Sequence, residues 1–314
     1  MISKRALLLG GLATPFVSRM ANATSNMIRE YSNLAQHAMP ENPLRINPTH
    51  PLSRGMVFCI VMNNPSNVRD IINNVRATNV NGFDFGGLNY NYSRQTRLNK
   101  TGSQYYSLPS ILPYNMTGAL SFVWAGSAPK GSANADTAGT IISKSNSATN
   151  YLNDPFNWGT SATDSQSLRR AGSSDVCSYT GGGSPLSGTA QPFVITRAVT
   201  HTGSFSAGQA VFYDNGVETG ITNVATGSGP ATTAADPMYI GAINLGADDG
   251  GLKGYSTKDH AVIYAWDRVL IANEILLAAR EPFGPLWSPQ AILSIGSMRG
   301  VAAAIQRSRG LIIQ

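Results

Sequence analysis

The chain is short of charge, and shortest of acid. Asp, Glu, Lys and Arg make up 13% of 314 residues, about half the usual quarter. Glu occurs five times, at positions 30, 41, 218, 274 and 281. That scarcity excludes a Lys/Glu-rich helical bundle or a coiled coil. Cysteine is almost missing as well: Cys59 and Cys177 are too few for a disulfide scaffold or a zinc site. Cys59 lies in the apolar run 56–62 and is expected to be a buried free thiol on a strand. The four histidines, His37, His50, His201 and His260, are scattered and read as satisfied or surface residues rather than ligands. No phosphate-binding Walker loop, Gly-x-Ser-x-Gly elbow or His-Glu-x-x-His pair occurs. After the first 20 residues no stretch is apolar for long enough to form a membrane-spanning helix.

What is present is turn chemistry between short apolar runs. Glycine (32) and proline (17) punctuate a chain that is 42% hydrophobic, which is too apolar for charge-driven disorder. Strands are expected at 56–62, 80–85, 104–108, 118–125, 138–143, 167–172, 192–200, 209–214, 236–243 and 259–268. Many turns and few helical periods favour an antiparallel all-β sandwich over βαβ units. Asp214-Asn-Gly216 is a hairpin signal, because Asn-Gly accepts the positive φ of a type I′ turn. Residues 180–183 and 225–235 read as loops. A helix is expected over 24–37 with Met27, Ile28, Tyr31 and Leu34 on one face, and a second over 270–280, stopped by Pro282. The four prolines of 39–51 make that stretch an extended linker. Phe283 and Trp287 are expected to run over the surface.

Charge is segregated. Residues 1–55 carry six Lys/Arg against two Glu, and 280–314 carry four Arg against Glu281, while the middle has 13 basic and 14 acidic residues. The body is therefore nearly neutral and the ends are basic, which argues against a nucleic-acid-binding core. It favours terminal segments that dock on something anionic, with Lys4, Arg5, Arg19, Arg29, Arg299, Arg307 and Arg309 as the docking residues. The first segment has a second reading. A basic start, an apolar stretch 6–17 and Ala21-Asn-Ala23 follow the grammar of a secretory signal, residues 1–23. The two readings stand side by side, and the retained docking arm is the expectation carried forward.

Four ordered blocks bear a family resemblance. They are Asn47-Pro-Thr-His-Pro-Leu-Ser-Arg-Gly55 leading into 56–62; Gly102-Ser-Gln-Tyr-Tyr-Ser-Leu108 with 118–124 and Thr140-Ile-Ile-Ser-Lys144; Ile195-Thr-Arg-Ala-Val-Thr200 with Ala210-Val-Phe-Tyr-Asp-Asn-Gly-Val217; and Met238-Tyr-Ile-Gly241 with 261–270 and Glu274-Ile275. Together they resemble the laminin G-like/concanavalin A-like jelly-roll domain of tailed bacteriophages, over roughly residues 47–287. The resemblance implies a concanavalin A-like sandwich over 51–287; the basic N-terminal arm over 1–50 and C-terminal arm over 288–314, read from charge and composition, lie outside the family's pattern. Ala261, Ile263 and Ala265 should bury one face of the closing strand, and Leu270, Ile275 and Leu276 should cap the sandwich edge.

The function implied is that of a non-catalytic virion structural protein decorating or projecting from capsid or tail. Its partners would be other virion proteins, with a homo-oligomer expected, and it would have an adhesive role toward a cell-surface glycan. The alternative is a secreted or periplasmic lectin-like glycan-binding module. Glycan hydrolases of this fold need two carboxylates about 5–5.5 Å apart, usually as Glu-x-Asp-x-Glu, and no such run exists. No cofactor is expected. Relatives bind calcium or sugar near the loop holding Asp248 and Asp249, where a solvated turn is the plainer reading. Trp124, Trp158, Trp266 and Trp287 could stack on sugars, and Trp266, inside a strand run, reads as core.

Overall fold

The computed structural model describes residues 45–85, 95–98, 102–127, 139–144, 155–160, 165–171, 176–181, 195–204, 209–219, 221–224, 236–244, 252–253, 255–256 and 258–287. In chain order the first strands are β1 (Arg45–Ile46), β2 (Met56–Val61), β3 (Arg69–Asp70), β4 (Val75–Arg76), β5 (Thr78–Val80), β6 (Asp84–Phe85), β7 (Thr96–Arg97) and β8 (Tyr105–Leu108). Next come β9 (Leu120–Ser127), β10 (Gly139–Lys144), β11 (Phe156–Thr160), β12 (Gln166–Ala171), β13 (Val176–Gly181), β14 (Ile195–His201), β15 (Ala210–Asp214), β16 (Val217–Thr219) and β17 (Ile221–Val224). The last are β18 (Met238–Ile240), β19 (Ile243–Asn244), β20 (Leu252–Lys253), β21 (Asp259–Trp266) and β22 (Leu286–Trp287), with helix α1 (Ala272–Arg280) between the final two.

Of these strands, β1 with β22 and β19 with β20 form two separate two-stranded ladders, and the other eighteen build two large antiparallel sheets. One has eight strands in the order β17-β13-β12-β11-β10-β18-β8-β5. The other has ten, with the path β16-β15-β14-β9-β21-β2-β3-β4 and β6 and β7 joined at β21. The expected all-β jelly-roll sandwich is what forms. Between the sheets lies an aromatic core in which Phe122 stacks on Trp158 at 5.8 Å and meets Phe156 at 4.8 Å. Burying each such ring contributes about 1.5–3 kcal/mol. The Asn-Gly hairpin forms as read: Asp214 pairs with Val217, Asn215 has φ 49° and Gly216 φ 81°.

A second apolar layer covers the outside of the ten-stranded sheet. Leu270, Ile275 and Ala278 of the α1 region, Leu52 from the turn Pro51–Ser53, and Phe283 and Leu286 all pack there. This explains why every residue of β21 is buried. It also corrects three expectations. Leu270 and Ile275 lie on a sheet face rather than an edge. Phe283 is buried, not on the surface. Ala261 does not share a face with Ile263 and Ala265, because a bulge between His260 and Val262 turns it into the outer cluster.

Further differences are local. Residues 176–181 form β13, including part of the stretch read as loop. Strands β11 and β17 and the β3–β4 hairpin went unread. Part of the proline-rich linker is a strand: β1 pairs with β22 through Arg45↔Trp287 and Ile46↔Leu286. Helix α1 starts at Ala272, where the Glu274 carboxylate accepts from the Ile271 N–H at 3.0 Å. The helix expected at 24–37 and the loop 225–235 lie outside the described residues.

Candidate groove and buried polar groups

An open groove of about 530 Å³ lies where the chain passes from one sheet to the other. Strand β4 ends the ten-stranded sheet, and β5, reached through Ala77, ends the eight-stranded one. The turn Pro65–Asn67, started by Asn64 whose side chain accepts from the Ser66 N–H at 3.1 Å, supplies one wall. Tyr106 forms the floor, its hydroxyl donating to the Pro65 carbonyl at 2.8 Å. Burial raises the Tyr106 hydroxyl well above its ordinary pKa, so it stays a donor. Asn81 (φ 63°) and Gly82 (φ 82°) turn the chain so that half-buried Phe83 reaches the rim. Arg76 is exposed on the other side and donates to the Ser66 carbonyl at 2.7 Å. Asn79 donates to Gly82 O at 2.9 Å.

Away from the groove, polar groups inside the sandwich hold one another. Asp70 accepts from the backbone N–H groups of Cys59 (3.1 Å) and Ile72 (3.0 Å), the Tyr114 hydroxyl (2.9 Å) and the Asn73 amide (2.6 Å). Burial, then the charge of Asp70, raises both the Cys59 thiol and the Tyr114 hydroxyl. Arg97 grips buried Asp259 with two bonds of 2.8 and 3.0 Å. Asp214 meets Arg197 at 3.3 Å and accepts from the Gln166 amide at 3.0 Å, and Gln166 in turn accepts from the Trp158 indole. That chain ties β12 of one sheet to β15 of the other.

Two contacts have the look of chemistry and are structural. Ser256 Oγ lies 3.1 Å from His260 Nε2, but the Trp124 indole N–H donates to His260 Nδ1 at 3.0 Å. An indole nitrogen only donates, so Nδ1 is the bare nitrogen and Nε2 carries the proton. The imidazole therefore donates to the serine and cannot take its proton. Burial, with the charge of Lys258, lowers the His260 pKa to about 3 and keeps the ring neutral. Lys144 is buried and donates to Ser110 Oγ at 2.6 Å and to the Asp236 carbonyl. Desolvation lowers its pKa to about 8 against the opposing pull of Asp236.

The residues picked out from sequence fare as follows. Trp124, Trp158 and Trp266 are fully buried, so they are core and offer no platform for a sugar. Cys59 is a buried free thiol, as expected. His50 caps the turn Pro51–Ser53 and meets Glu281 at 3.3 Å, and burial lowers its pKa. His201 accepts from buried Arg170 at 3.0 Å. Lys4, Arg5, Arg19, Arg29, Arg299, Arg307 and Arg309 lie outside the described residues, as do Asp248 and Asp249. Among the described residues no three His, Cys, Asp or Glu side chains gather as a metal site, and no helix is long and apolar enough to cross a membrane. The groove itself escaped sequence reading. The one available signal was Asn73-Asn74, a turn pair between Arg69 and Arg76.

No protein-family model matches the chain, and no curated protein matches it by sequence. Solved structures of similar shape do exist. A botulinum neurotoxin type C structure concerned with its interaction with two ganglioside molecules is 11% identical, with a TM-score of 0.50 over 72% of this chain and 51% of that one. A botulinum neurotoxin serotype D/C binding domain is 12% identical, with a TM-score of 0.49 over 73% of this chain and 52% of that one. The binding domain of Paraclostridial Mosquitocidal Protein 1 is 11% identical, with a TM-score of 0.49 over 73% and 52%. The chain thus spans about half the length of these structures. At such identity the likeness is one of fold: an all-β sandwich.

Proposed function

We propose that the chain is a non-catalytic display protein, a β-sandwich body held on a larger assembly by basic terminal segments and presenting its surface for recognition. The supporting observation is the pairing of β1 with β22, which brings the incoming and outgoing chain together at one place on the body. Residues 1–44 contain Lys4, Arg5, Arg19 and Arg29, and residues 288–314 contain Arg299, Arg307 and Arg309, so both cationic sequences are joined in the chain to the two strands of one ladder. The neutral body between them spends its buried Asp, Arg and His side chains on one another and on backbone groups. With the phage-like order of strand motifs, the reading is a structural protein of a tailed-phage virion, on capsid or tail, with other virion proteins as partners. Residues 51–287 are the proposed body.

Mass spectrometry of purified particles tests this. The peptide spanning residues 6–19 should be found in them. Its absence, with a mature chain beginning at Thr24 in the secreted fraction, selects the second reading: a secreted or periplasmic glycan-binding module. The groove between β4 and β5 favours binding under either reading. The ganglioside interaction of one structural neighbour is in keeping with it.

A further inference from the structure

The β3–β4 hairpin sets two arginines against each other. Its register pairs Arg69 directly with Arg76, so the two side chains leave the same face of the sheet from opposite strands. Like charges directly opposite in an antiparallel pair are destabilising. Arg76 also lines the 530 Å³ groove, a volume inside the range of about 300–1,000 Å³ common to small-ligand sites. The residues around it are Ser66, Thr78, Asn79 and Phe83, and among the described residues no carboxylate lines the groove. One Arg76 N–H is fixed on the Ser66 carbonyl at 2.7 Å, which orients a planar fork suited to bidentate capture of a carboxylate or sulfate.

We infer that this groove binds an acidic saccharide, a sugar carrying a carboxylate or sulfate. The anion sits on Arg76, with Arg69 on the facing strand beside it. The hydroxyl of Ser66 and the amide of Asn79, which shares the Tyr106 face of β5, take sugar hydroxyls, and the half-exposed ring of Phe83 lies against a sugar face. A nucleic-acid strand fits less well, since it needs a basic track and successive stacking rings, and among the described residues the groove supplies one arginine, with Phe83 on its rim and Tyr106 buried in its floor. The inference deepens the binding reading and does not depend on where the terminal segments dock.

The test is calorimetric titration of the full chain with sialyllactose, a heparin tetrasaccharide, neutral lactose, inorganic sulfate and a short single-stranded oligonucleotide. At least one acidic sugar should bind about tenfold or more tightly than lactose and sulfate, and Arg76→Gln should remove that margin. Phe83→Ala should weaken the same sugar by about tenfold. Lactose binding equal to that of the acidic sugars, binding unaffected by Arg76→Gln, sulfate binding as tightly as any sugar, preference for the oligonucleotide, or no binding by any of the five would each overturn the inference. None of these outcomes alters the particle experiment, so the two readings fail separately.

Discussion

The indole N–H of Trp124 donates to Nδ1 of His260 at 3.0 Å, and that bond fixes the imidazole as neutral. His201 is held the same way by Arg170, whose N–H donates to its Nδ1 at 3.0 Å, and burial and that charge lower its pKa to about 3. Both folded-state values lie below the unfolded value near 6.5. As pH falls from about 6.5 toward 3, the unfolded chain takes up protons that the folded chain refuses. Stability should therefore fall across that window, by up to ~1.4 kcal/mol per pH unit for each ring. Denaturant midpoints measured against pH check this, with NMR of the two rings. A ring titrating near 6.5 in the folded protein would refute the assignment.

Arg170 is a buried cation whose partners include three backbone carbonyls. It donates to Pro155 O (2.9 Å), Gly118 O (2.6 Å) and Met116 O (2.6 Å), tying β12 to the segment before β9. Arg170→Ala orphans several acceptors at once and should cost about 3–5 kcal/mol. Arg170→Lys should recover only part of this, because an ammonium cannot reproduce the planar fork. Urea unfolding of both variants is the measurement, and equal stability of the lysine variant and the parent would contradict it.

Gly241 and Gly118 make a matched pair of tests. Gly241 has φ +80°, and a Cβ there would lie 2.1 Å from Leu98 Cδ1, whereas a Cβ at Gly118 meets nothing within 4 Å. Gly241→Ala combines backbone strain with a steric clash and should lose about 2–4 kcal/mol. Gly118→Ala should change stability by no more than about 0.5 kcal/mol. Thermal melts of the two variants settle it.

Lys144 gives a pH effect at the alkaline end. Its folded-state pKa of about 8 lies below the ordinary lysine value of 10.5, so between these values the unfolded chain binds the extra proton. Stability from this group should rise with pH across that window. Lys144→Met removes a costly buried charge at similar volume, and should abolish this slope with neutral or raised stability below pH 8. A loss of several kcal/mol in the methionine variant would show instead that the contacts with Ser110 and Asp236 carry the site.

The fold was legible where a sheet is packed on one face or where a turn is chemically explicit. The runs around 56–61, 120–127 and 259–266 are apolar enough to announce strands, and Asn215-Gly216 names its hairpin. What stayed hidden depends on tertiary cover. Leu270, Ile275 and Phe283 carry an apolar signal that says they are buried but not against which face, and only packing on the outer side of β21 decides it. The bulge at His260–Val262 shifts register by one residue and reverses Ala261 without any mark in the sequence. The groove was illegible for the same reason. Arg69 and Arg76 are seven positions apart, and only the β3–β4 pairing places them side by side.

Arg45 and Trp287 occupy the same rung, at the outer end of a two-residue ladder. A load that drew the two tails away from each other would open that ladder like a zipper, one rung after the next, at low force. A load applied to both tails in the same direction would leave the rung unstressed and pass straight into the sheet and the helical cover. A body tethered by both tails to one support therefore resists being pulled off, whereas one tethered by its tails to two separating supports comes undone at its first hydrogen bonds.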